Sequence, residues 1–421
     1  LRANTLDLFQ KYSGVIPSTS YLTHSIHSYT AKAIPHLPRF FIEEFTKKGE
    51  VIFDPFCGSG TSLLEAKVLN RNAVGIDIHP LSTMISEVKT TPIDALELKS
   101  VIDKIKKETN NHLEVNPTQF WNIDYWFSKE AQIELSKIKS VLDNEQPFLD
   151  DKTNKFLKVC FSSIIRKTSY ADPRMAKTYK SKRILKKATS GLIPKPIKLF
   201  ESALDRNYER LKAFSALSVN DTYVKVFQGD ARSSTSILEK NCIQSVDAVV
   251  TSPPYINAQD YFRSYKLEVS WLGLCSPVES LEYKKQSIGT ELGFGGVPDK
   301  APTSNNRLLN NVLSKIWSSP KKQNKAKTQM VFKYFNDMEK VIKEINSLLV
   351  DNGHLCLIMG NNKICEINIP SFQILSEIVE KNGFVLIAKY RDKIRNRALP
   401  PNRRHNGGII KEEWITVFRK K

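Results

Sequence analysis

No apolar run in this chain reaches the ~18 residues that a membrane-spanning helix requires, and no charged, apolar, small-residue leader opens it. Both absences set the expectation of a soluble protein of the cell interior with no membrane partner. Six cysteines, at 57, 160, 242, 275, 356 and 365, make no C-x-x-C pair and have no clustered histidines beside them. That argues against a metal (zinc) site and a disulfide framework, so the thiols are expected to be reduced and mostly buried. Neither G-x-G-x-x-G nor the G-K-[ST] of a phosphate loop occurs, which removes readers of dinucleotide and triphosphate groups of those types.

Acidic residues are in deficit. Against 44 Asp and Glu stand 63 Lys and Arg, a formal net charge of +19 over 421 residues. Such a surplus favours a polyanionic partner, because each phosphate neutralised releases condensed counterions. It gathers at Arg166-Lys167, from Lys177 to Lys187, at Lys321, Lys322, Lys325 and Lys327, and from Arg391 to Arg404.

Two motifs carry chemistry. Ser252-Pro253-Pro254-Tyr255 ends the apolar run Val246 to Thr251, at the carboxyl end of a predicted strand, where open α/β sheets bind ligands. It supplies a hydroxyl, a backbone carbonyl that no proline N–H competes for, and an aromatic face, the means to hold a planar base and engage its amino group. The second is Phe53-Asp54-Pro55-Phe56-Cys57-Gly58-Ser59-Gly60-Thr61, a strand running through a glycine turn into the helical pattern Leu63-Leu64-Glu65-Ala66. Glycines there let the backbone approach a ligand closely while helix N–H groups point at it. A second strand ends in Asp77-Ile78, about 20 residues past the glycines, where such folds bind ribose hydroxyls.

With these residues the chain resembles the S-adenosylmethionine-dependent DNA amino-methyltransferases, particularly their cytosine-N4 group. The resemblance makes Asp54, Phe56, Cys57, Gly58, Ser59, Gly60 and Thr61 the first cofactor motif and Asp77 the ribose carboxylate, with Ile78 beside it. Asp230 and Ala231 form the adenine-contacting turn, and Ser252, Pro253, Pro254 and Tyr255 are catalytic, Ser252 also bordering the cofactor. The segment His24 to Pro35, with Tyr29 and Lys32, resembles the cover over the methionine part of the cofactor. No cysteine follows a proline, unlike the nucleophile of a cytosine-C5 enzyme. The implied fold is α/β: a doubly wound, mostly parallel, seven-stranded methyltransferase sheet with a helical insertion.

Strands are expected at 50–54, 73–77, 223–228, 246–251, 353–359, 383–390 and 413–419, and helices at 61–70, 259–273 and 334–350. Residues 1–92 are read as the cofactor-binding half, and 93–218 as a helical insertion contacting the DNA backbone. Residues 219–275 carry the adenine-contacting and catalytic motifs, 276–330 form a loop-rich basic segment for target recognition, and 331–421 complete the sheet. The linker Ala188 to Pro196 divides the insertion in two.

The implied reaction moves a methyl group from S-adenosyl-L-methionine to N4 of a cytosine flipped out of double-stranded DNA, in the cytoplasm of a bacterial or archaeal cell, within a restriction-modification or related system whose nuclease the sequence does not identify. Ser at position 252 resembles cytosine-N4 more than adenine-N6 enzymes. An adenine-N6 enzyme, an RNA amino-methyltransferase and a non-catalytic DNA-binding protein are the alternatives. Asp260 is read as a helix N-terminal carboxylate.

Overall fold

The alternating apolar runs assemble into one large sheet in a computed structural model that describes residues 4–5, 8–12, 14–16, 18–30, 32–112, 117–217, 221–256, 260–292, 299–318, 323–393 and 412–421. In chain order the strands are β1 (Asn4–Thr5), β2 (Val51–Asp54), β3 (Asn72–Asp77), β4 (Val224–Gln228), β5 (Val246–Thr251), β6 (Leu349–Met359), β7 (Asn362–Ile364), β8 (Ile367–Ile369), β9 (Phe384–Lys393) and β10 (Glu412–Lys420). The main sheet runs β1-β9-β10-β6-β5-β2-β3-β4, and β7 and β8 form a separate hairpin. From β6 to β4 every pairing is parallel, whereas β10 lies antiparallel to both neighbours. This is the expected seven-stranded, doubly wound sheet, with the two-residue β1 added in parallel at its edge.

Side chains on successive residues of a strand point to opposite faces, so the central strands feed two cores. Phe53 and Val249 pack with the helices Gln323–Leu348 and Ser371–Lys381. Ile52, Ala248 and Val250 pack on the other face with His36–Phe45 and Thr61–Val68. A third core joins the helices Ala95–Asn111, Lys129–Glu145, Asp151–Ile165 and Pro196–Ser215 to Tyr29, Leu81, Ile85, Tyr265 and Trp271. Through it the helices between β3 and β4 pack against the elements that flank the strand ends.

Three expectations need correction. The helix expected over 259–273 is broken, with Tyr261–Ser264 and Lys266–Leu272 meeting at Tyr265. The stretch read as loop-rich contains the helices Pro277–Gln286 and Arg307–Trp317. The first buries no residue and is nucleated by a capping box of Ser276 and Glu279, so it has no apolar period to read. The second is capped by Asn306 and buries Leu309, Val312, Leu313 and Ile316. The cysteines divide evenly: Cys57, Cys160 and Cys356 are buried, while Cys242 is exposed and Cys275 and Cys365 are half-buried. Cys57, Cys160, Cys242, Cys275 and Cys356 are free thiols. No described helix is long and apolar enough to cross a membrane.

Candidate functional site

The glycine turn after β2 is held from three sides. The Phe56 N–H and the Thr251 hydroxyl donate to Asp54 Oδ1 at 3.1 and 2.6 Å, tying the turn to the end of β5. The Ser86 hydroxyl donates to the Gly58 carbonyl at 2.8 Å. At Gly60, with φ of +74°, a Cβ would come within 3.0 Å of Ser86 Cα, so only glycine fits. Helix Thr61–Val68 starts immediately after, leaving its first N–H groups without intrahelical partners.

Asp77 sits beside this turn at the end of β3. Its Oδ2 accepts the Gly58 N–H at 2.9 Å and its Oδ1 accepts the His79 N–H at 2.8 Å. Desolvation raises Asp77 to about 6, and raises Asp54 likewise to about 6. The Asp77 residue and its neighbour Ile78 are only partly buried, and a carboxylate can accept more hydrogen bonds than two. The fit to an adenosyl group follows: acceptor capacity for ribose hydroxyls, a half-buried Phe56 ring alongside, and backbone at Gly58 bare enough that a Cβ would first meet Tyr29 Cε1 at 3.4 Å.

Tyr29 covers this turn from the N-terminal segment. It stacks on Tyr261 and Tyr265, with ring centroids 5.6 and 5.1 Å away, and its hydroxyl is 2.5 Å from Ser82 Oγ. The Tyr265 hydroxyl accepts the Thr30 N–H at 2.7 Å. Lys32 instead points back, donating to the His24 carbonyl at 3.0 Å, and His24 pairs with the buried Glu65 at 2.7 Å. Arg39 and Tyr21 complete that Glu65 network. Ser59 is reached by Lys89 Nζ at 3.1 Å, and burial pushes this ammonium well below its ordinary pKa. Cys57 is packing: burial pushes its thiol up, and a Cβ on Gly75 would press within 2.9 Å of it.

Ser252, Pro253, Pro254 and Tyr255 follow β5, whose parallel neighbour β2 ends in Asp54. Pro253 is buried, and Ser252, Pro254 and Tyr255 are half-buried. Tyr255 packs against the core of the adjoining sheet face and its hydroxyl donates to Glu413 Oε1 at 3.1 Å. Asn362 Nδ2 donates to the Ile256 carbonyl at 3.2 Å, bracing the backbone just past the motif. Asp260 caps helix Tyr261–Ser264 through the Arg263 N–H and pairs with Lys284 at 2.6 Å.

Asp230 and Ala231 begin a 3-10 turn whose preceding Gly229 N–H donates to the Asp77 carbonyl at 3.0 Å. The Asp230 carboxylate is engaged by Arg232 at 2.5 Å, which in turn pairs with Asp337 at 2.9 Å. Among the described residues no group of three or more His, Cys, Asp or Glu side chains is placed to hold a metal ion. Ser82, Ser86, Lys89, Tyr261 and Tyr265 were not singled out by sequence; serines and tyrosines inside helices carry no signal of their own until the fold joins them.

Residues 11–87 match the family model described as DNA methylase. The chain is similar to the type II methyltransferase M.MvaI of Kocuria varians, 27% identical over 410 residues that cover 91% of this chain and 86% of that one. It is also similar to M.BsoBI of Geobacillus stearothermophilus, 27% identical over 476 residues, covering 99% and 92%. M.MjaII of Methanocaldococcus jannaschii is 21% identical over 459 residues, covering 89% and 77%.

Proposed function

Because the chain belongs to the DNA amino-methyltransferase family, we propose that it methylates the exocyclic N4 of a cytosine flipped from double-stranded DNA, using S-adenosylmethionine. The observation that carries this reading is the placement of Ser252 to Tyr255 beside the Asp54 turn, with Asp77 hydrogen-bonded to the same turn.

When bound, S-adenosylmethionine supplies an electrophilic methyl group. Asp77 would accept its ribose hydroxyls, Phe56 would flank its adenine, and the Gly58 to Thr61 backbone with Tyr29 would hold its methionine part. The cytosine amine is a poor nucleophile because its lone pair is delocalised into the ring. The Ser252 hydroxyl and the Pro253 carbonyl accept its two hydrogens, which draws the nitrogen toward tetrahedral geometry and localises that lone pair. Tyr255 provides the aromatic wall against which an extruded base stacks. Holding both reactants in register accounts for much of the acceleration.

The helical insertion, 93–218, is assigned to the DNA backbone, and 276–330 to the bases. The type II designation of the relatives supports a role in a DNA-modification system. Transfer of tritiated methyl groups to DNA and to RNA tests the reaction class: label in DNA is expected, and label confined to RNA contradicts it.

A further inference from the structure

The insertion places a basic and aromatic face against the helices Tyr261–Ser264 and Lys266–Leu272, which follow the Ser252–Tyr255 motif. Between residues 173 and 200 the sequence has nine Lys and Arg and no acid. Lys177, Lys182, Lys186 and Lys187 are exposed, and no ion pair engages them among the described residues. The carboxylate nearest in sequence, Asp172, is buried and occupied by Arg183 at 2.6 Å and Arg174 at 3.5 Å. Uncompensated charge of this density is what a phosphate backbone matches.

Aromatic rings stand among these cations. Lys180 Nζ lies 3.7 Å from the Tyr125 ring centroid, 4.9 Å from Tyr170 and 5.9 Å from Trp126. Trp121, Tyr125 and Tyr179 are 81%, 51% and 53% exposed. An exposed ring beside a lysine with no ion-pair partner among the described residues, as Tyr125 is beside Lys180, is a combination that grips nucleic acid, one part by charge and one by stacking.

The face is braced to the catalytic region. The Thr178 hydroxyl donates to the Ser264 carbonyl at 2.9 Å, and Lys266 Nζ lies 4.3 Å over the Trp126 ring. Ser264 and Lys266 flank Tyr265, which stacks on Tyr29 above the glycine turn. Arg166 fixes the same loop through the Met175 and Ala176 carbonyls at 2.7 and 3.2 Å. By contrast, the helix Pro277–Gln286 in the other candidate segment has its lysines neutralised, Lys284 by Asp260 and Lys285 by Glu282.

We propose that residues 174–187, together with Trp121 and Tyr125, form the surface that grips duplex DNA next to the target base. The lysines contact phosphates, and the exposed rings contact sugars and bases. The assignment rests on the DNA-methylating reading and adds to it the residues and the division of labour.

The test measures binding of the full-length protein to a 30-base-pair duplex as a function of salt. Lys177, Lys182, Lys186 and Lys187 are changed together to Gln, with Trp121→Ala as a second variant. The lysine variant should bind more weakly, with its log–log salt slope reduced by about 0.9 for each phosphate that is no longer neutralised. Trp121→Ala should weaken binding roughly fivefold or more at fixed salt with the slope unchanged, as removal of a stacking ring does. An unchanged slope in the first variant, an unchanged affinity in the second, or tighter wild-type binding to an RNA duplex overturns the assignment. A wild-type protein and variants that follow this binding pattern, with no methyl transfer to unmodified genomic DNA, would support the surface while contradicting the reaction.

Discussion

The Tyr255 hydroxyl donates to Glu413 Oε1 at 3.1 Å, so the loop after β5 is fastened to antiparallel strand β10, 158 residues further along the chain. On the proposed reading the ring has two tasks, presenting a face to the base and bracing the motif. Tyr255→Ala should cut turnover roughly tenfold or more, from the stacking contribution, while cofactor affinity holds. Tyr255→Phe should retain most of the turnover and lose about 1–3 kcal/mol of stability, the scale for a hydrogen bond to a charged acceptor. Single-turnover rates and chemical denaturation of both variants separate the two tasks.

Asp77 has a pH signature. Burial raises its carboxyl from the ordinary 3.8 to about 6, so folding disfavours the ionised form. The contribution is fully present below pH ~4 and is lost as pH rises through 6, on the order of 3 kcal/mol for that shift. Asp77→Asn should therefore remove this residue's share of the carboxyl-driven decline between pH 4 and 7, leaving the shares of Asp54 and Glu268 and the opposing rise from His27 and His79, whose pKa values burial lowers. Denaturant titrations across that range check the sign.

The same carboxyl should govern cofactor binding in the opposite sense. Ribose hydroxyls donate best to the ionised form, so affinity for S-adenosylmethionine should rise as pH increases through about 6, with proton release. Asp77→Ala should weaken binding by roughly 1–3 kcal/mol and abolish the pH dependence, leaving DNA affinity unchanged. Calorimetry in buffers of different ionisation enthalpy measures both quantities.

Gly60 and Gly191 separate strain from crowding. Both have positive φ, but a Cβ at Gly191 would meet nothing within 4 Å, whereas at Gly60 it would press on Ser86. Gly191→Ala should cost about 1 kcal/mol for the left-handed backbone alone. Gly60→Ala should cost more than this and weaken cofactor binding as well. Equal losses of stability in the two variants would show that the turn has room to relax.

The sheet was legible because its strands are short apolar runs with turn signals at their ends, and a period-2 pattern survives any tertiary context. Boundaries moved by a few residues; β6 begins at Leu349, four residues before the expected start. Two kinds of feature were illegible. Helix Pro277–Gln286 buries no residue, so composition hid it, and β7 and β8 are three residues each, too short to show alternation. At the site, the sequence could mark Asp77 and Asp230 but not their different surroundings. The Asp77 carboxylate accepts backbone N–H groups of Gly58 and His79, whereas the Asp230 carboxylate is paired by Arg232, two residues on. Of the basic cluster near 321, Lys321 and Lys322 lie outside the described residues, and Lys325 sits 5.0 Å over the Trp317 ring. The basic run from Arg391 to Arg404 also falls largely outside them.

On the proposed reading, Ser252 to Tyr255 deliver the N4 of cytosine to the methyl donor. Mass spectrometry of nucleosides from DNA modified by the purified protein tests it most directly. Wild-type protein should yield N4-methylcytosine and Tyr255→Ala, over the same time, far less of it; N6-methyladenine without N4-methylcytosine, or full modification by Tyr255→Ala, would contradict this assignment.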